Sequence, residues 1–74
     1  MVKSYELCKV LGTKLRNLRN TYGDSQVDLT KELNIDSNNI VGLIERGQSS
    51  QILMYLPAIL AYYGVTFEEF INEF

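Results

Sequence analysis

Cys8, Leu11, Leu15, Leu18 and Tyr22 recur at intervals of three, four, three and four residues, the period of one face of an α-helix. That spacing predicts a helix over residues 4–22, closed by Gly23, with Gly12 a candidate break between a short leading helix and the main one. Val27, Leu29, Thr30 and Leu33 supply the inner face of a short second helix over 26–33, with Ser25 as its N-cap and Asp28 near the positive end of its dipole. Asn34 tolerates the left-handed backbone that would end it. Asp36 or Ser37 can cap a third helix running to Arg46, and Gly47 would close it. After the polar loop QSSQ, the residues Ile52, Leu53, Leu56, Ile59, Leu60 and Tyr63 trace a broad apolar face on a fourth helix ended by Gly64. Pro57 lies inside that pattern, so the helix either starts near it or kinks there. Thr66 caps a final helix with Phe67, Phe70, Ile71 and Phe74 at helical spacing and Glu68 and Glu69 in its first turn.

Five short helices and no strand make an all-α chain. Its 74 residues provide material for one hydrophobic core and therefore one domain, residues 1–9 reading as an extension ahead of it. Leu7 and Val10 lie off the first seam and the last helix carries apolar residues to position 74. This is more apolar surface than one small core needs, which points to a homodimer.

Composition narrows the functions. Apolar residues are 46% and charged residues 22%, the balance of a folded, soluble domain. Cys8 is the single cysteine and there is no histidine, so neither an internal disulfide, a zinc site nor a Cys-His pair can form. With no glycine-rich phosphate loop and no clustered carboxylates, the chain offers no general base or metal site; an enzyme is not expected, nor a cofactor or a metal. No apolar run approaches the roughly 20 residues of a membrane span, and MVKSYELCKV lacks the apolar block of a signal peptide, so a cytoplasmic protein is expected. The net charge is −2, yet all seven basic residues lie between Lys3 and Arg46. Any nucleic-acid surface must occupy the first two thirds of the chain.

Two short helices joined by a tight turn, 26–33 and 37–46, are the arrangement in which one helix crosses a DNA backbone while the next enters the major groove. Here the chain resembles the phage repressor and Cro (XRE-like) family of helix-turn-helix regulators. The likeness is carried by Leu11-Gly12, Leu15, Leu18-Arg19, Ser25-Gln26, Leu29, Leu33, Ile35, Ile44-Glu45-Arg46-Gly47, and Leu56-Pro57 through Gly64-Val65. The resemblance implies a compact five-helix, lambda-repressor-like DNA-binding domain with a helix-turn-helix. It implies a structural ion pair between Arg19 and Glu45, and phosphate contacts from Ser25 and Gln26, for which plain helix capping is the alternative at Ser25. It places Asn38 and Asn39 at base-reading positions, where a carboxamide can match adenine N6 and N7 together, although asparagine also clusters at helix starts for local reasons. Leu43 falls on the groove-facing side, and Ser37 and Arg46 beside the backbone.

Three departures from the family pattern are visible. The interval from Gln26 to Glu45 is one residue longer, so the turn carries an insertion or the third helix is shifted. Leu43 stands where a polar residue is usual and could touch a thymine methyl or face a protein. QSSQ lacks basic residues, so counterion release should contribute little. The expected function is a sequence-specific transcriptional regulator of Cro or controller type, binding double-stranded DNA as a dimer through the last helix, with Phe70 and Phe74 at the interface. The alternatives are a protein-interaction module on the same fold, such as an antirepressor, and the N-terminal DNA-binding domain of a longer regulator.

Overall fold

The computed structural model describes residues 4–35, 37 and 39–74. Five helices follow one another: α1 (Ser4–Thr21), α2 (Gln26–Glu32), α3 (Ile40–Glu45), α4 (Ile52–Tyr63) and α5 (Phe67–Glu73). No strand occurs among the described residues. The chain packs to a Cα radius of gyration of 11.4 Å and extents of 35 × 25 × 17 Å. No described helix is long and apolar enough to cross a membrane.

The long α1 is the hub, packed most extensively on α3 and also on α4 and α5. Its seam residues Cys8, Leu11, Leu15 and Leu18 are buried, and they meet Leu29 of α2, Val41 and Ile44 of α3, Ile52, Leu56, Ile59 and Leu60 of α4, and Phe70 of α5 in one core. Cys8 is part of that core, and a side chain on Gly47 would meet the Lys9 backbone, so residues 8 and 9 belong to the domain and not to an extension ahead of it.

Gly12 does not break α1. It is buried because α3 crosses there: a Cβ at this position would run into the carbonyl oxygens of Ile44 and Glu45. The absent side chain lets two helix backbones approach, a use of glycine that has nothing to do with flexibility.

The first four helices close alike. The N–H groups of Asp24, Ile35, Gln48 and Val65 donate to the carbonyls of Arg19, Thr30, Leu43 and Leu60, five residues back, at 2.9–3.2 Å. The residue before each donor has positive φ: Gly23 at 76°, Asn34 at 55°, Gly47 at 74° and Gly64 at 68°. This is the Schellman closure, and Asn34 shows why a short polar side chain is tolerated where glycine is otherwise used. At the other ends, α2 and α5 open with reciprocal capping boxes, Ser25 with Asp28 and Thr66 with Glu69.

Several expectations are corrected. α3 begins at Ile40, not 37, and Asn39 is its N-cap without a side-chain cap hydrogen bond. Asp36, the other capping candidate, lies outside the described residues. Of the two readings of Pro57, a start is excluded, because it sits in the second turn of α4. Tyr22, Val27 and Phe67 hold helical spacing yet are 53%, 50% and 57% exposed, so period alone did not place them in the core.

Candidate nucleic-acid interface

α2 and α3 are set against each other by a buried polar network. Arg19 Nε and Nη2 donate to Glu45 Oε2 and Oε1 at 2.6 and 3.0 Å, a bidentate pair with both residues buried. The Glu45 hydrogen bond holds the guanidinium above its ordinary pKa against the opposing effect of burial. Arg19 Nη1 also donates to the Asp24 carbonyl at 2.7 Å, and Gln26 Nε2 donates to Glu45 Oε1 at 3.1 Å. One carboxylate thus joins α1, the start of α2 and the last turn of α3.

Asp24 extends the network to α4, where Tyr63 Oη donates to Asp24 Oδ2 at 3.0 Å. Burial, then that hydrogen bond, pushes the Tyr63 phenol well above its usual pKa. Tyr22 stacks on Tyr63 with ring centroids 5.1 Å apart. Nothing in the local sequence signals the links of Gln26 to Glu45, Asp24 to Tyr63 and Tyr22 to Tyr63, which span 19, 39 and 41 positions.

With Val41, Ile44 and Glu45 turned inward, the opposite arc of α3 carries Asn39, Leu43 and Arg46, which lie within about 60° of one another at 100° per residue. Asn39 and Arg46 are exposed and Leu43 is half-buried. Gly42 lies under the Gln26 and Arg46 side chains; a Cβ there would come within 3.2 Å of Arg46 Nη1 and 3.3 Å of Gln26 Oε1. Arg46 Nε donates to Gln48 Oε1 at 3.2 Å. Ser37 is exposed and its hydroxyl accepts from the Asn39 N–H at 3.3 Å. Asn38, the other base-reading candidate, lies outside the described residues.

The geometry gives several of these residues partners within the chain. The Gln26 amide, assigned to a phosphate, is engaged with Glu45. Ser25 is a true cap, its Oγ accepting from Asp28 N–H at 3.0 Å while Asp28 Oδ2 accepts from Ser25 N–H at 2.9 Å. These two hydrogen bonds hold the Asp28 carboxyl below its ordinary range. Lys14 Nζ donates to the Ile71 carbonyl of α5 at 2.7 Å.

The dimer residues fare differently. Phe70 is fully buried in the core and has no surface to offer a second subunit. Phe74 packs partly on that core and lines a groove of about 420 Å³ with Glu6, Lys9, Val10, Thr13 and Lys14. Leu7 and Val10 are exposed. Comparison with family models, with curated proteins and with solved structures gave no match.

Proposed function

We propose that this chain is a cytoplasmic, non-catalytic, sequence-specific DNA-binding regulator of the repressor and Cro type, in which α2 and α3 form the helix-turn-helix. It binds double-stranded DNA as a homodimer. The observation that carries this reading is the outward arc of α3, where an amide (Asn39), an apolar side chain (Leu43) and a cation (Arg46) share one side of a helix anchored from behind by Glu45. An amide can pair with adenine, a leucine can meet a thymine methyl, and an arginine can take a phosphate or guanine. A rigid mount is what base reading needs, since hydrogen bonds to base edges fail with small displacements.

Selection from random duplexes at low salt tests the reading. A palindrome with half-sites about 34–36 Å apart is expected, and Asn39→Ala should lose about 1–3 kcal/mol on it while binding other duplexes as before. No enriched motif with folded protein would refute DNA recognition. A second reading, a protein-interaction module on the same fold, draws support from the 21 uncharged residues between Arg46 and Glu68.

A further inference from the structure

α4 has no charged residue and is apolar all round. Ile52, Leu56, Ile59 and Leu60 face the core, whereas Leu53, Met54, Pro57, Ala58, Ala61 and Tyr62 are all exposed. At 100° per residue these six fill one continuous half of the helix surface. A helix that is apolar all round is ordinarily buried all round.

We infer that this outer face of α4 pairs with the same face of a second copy, antiparallel across a two-fold axis passing between Pro57 and Ala58. This deepens the dimer proposed above by assigning its seat. Such a contact is isologous, so every residue near the axis meets itself or a close neighbour. A charge there would face its own copy, and the face has none.

Shape agrees with the register. Leu53 falls opposite Tyr62 of the second copy, Met54 opposite Ala61, and Pro57 opposite Ala58, so larger side chains flank a small centre on either side of the axis. The small centre admits helix axes at about 8–10 Å.

Area agrees as well. Leu53 is 58%, Met54 62% and Tyr62 43% exposed, so with the three smaller residues the patch is on the order of 450 Å² per copy. Joined with the rim at Ser50 and Gln51, the pair approaches the ~1,000 Å² of a weak specific interface. A lipid surface fits less well, because interfacial helices carry a basic polar face that α4 lacks.

Sedimentation equilibrium without DNA tests this. The wild-type chain should be a micromolar dimer, and its dissociation constant should rise at least about 100-fold both in Ala58→Glu, which sets a charge beside its own copy at the axis, and in Met54→Glu, which buries an unpaired charge against Ala61 of the second copy, with circular dichroism melts showing both variants folded. Leu7→Glu, on exposed α1 surface, should leave the dimer intact. The inference is overturned if the wild type is monomeric at ~100 μM, if folded Ala58→Glu still dimerises as the wild type does, or if a monomeric wild type binds neutral phosphatidylcholine vesicles. Because no nucleic acid is present, failure here is distinct from failure of the duplex selection.

Discussion

Replacing Gly12 with alanine should destabilise the protein, although alanine is the better helix former by about 1 kcal/mol. The new Cβ would overlap the Ile44 carbonyl oxygen and lie 2.9 Å from that of Glu45, where ordinary contact begins at 3.4 Å. Both obstacles are backbone and cannot rotate aside, so α3 must retreat from α1 by something like 0.5–1 Å. Overpacking of this kind costs about 1–3 kcal/mol. The retreat also carries Glu45 away from Arg19, and hydrogen bonds of 2.6 and 3.0 Å would lengthen toward or beyond the useful limit near 3.2 Å. A buried pair pulled apart costs up to about 3–5 kcal/mol. Subtracting the helix gain leaves a net loss of about 2–4 kcal/mol, a large part of the roughly 4–11 kcal/mol expected for a domain this size. Urea unfolding followed by circular dichroism measures it as a lowered midpoint at unchanged slope. A midpoint equal to or above wild type would refute the close-approach argument and restore Gly12 to an ordinary helical position.

Glu45→Ala should cost about 3–5 kcal/mol in the same assay by stranding Arg19, whereas Arg19→Met with Glu45→Leu should recover much of that loss. Thr66→Ala should cost about 1 kcal/mol of thermal stability through the lost α5 cap. Asp28 and Glu69 have lowered folded pKa values from their cap hydrogen bonds, so their contribution is present above the unfolded carboxylate range and is lost as pH falls through the folded values; acid titration of Asp28→Asn should show a flatter loss than wild type. Tyr63 is raised, so its contribution is full below pH 10 and is lost as pH rises through the folded value; Tyr62 is raised too, so ultraviolet titration should find late tyrosinates and one fewer of them in Tyr63→Phe. Under the proposed function, with Lys14 held by Ile71, Arg16, Lys31 and Arg46 should neutralise about two phosphates per subunit, and the salt slope on a duplex should be about −3 to −4 for a dimer.

Helix periods, left-handed closures and the Ser25 and Thr66 caps were legible in the sequence because each depends on residues within one turn of one another. Exposure was less so. Tyr22, Val27 and Phe67 satisfy a helical period, but period identifies a face without saying whether another element covers it. Phe70 and Phe74 looked equivalent as candidates for an interface, and only the packing of α5 on α1 separates a fully buried ring from a half-covered one. Gln26 was open to a phosphate role because its partner Glu45 is 19 positions away. The bare face of α4 had a usable signal, the uncharged run after Arg46, which periodicity alone reads as a core.

Under the proposed function, the brevity of α3 limits how much sequence one subunit could discriminate. Six residues rise about 9 Å, the length of fewer than three base pairs at 3.4 Å each. A dimer reading some six pairs fully would meet a chance match about once in four thousand, given four alternatives at every pair of the major groove. A genome of millions of pairs would hold about a thousand decoys. Selectivity of the proposed regulator would then come from bendability at untouched pairs or from tandem sites occupied together, and the information for its choice would reside as much in the DNA as in the protein.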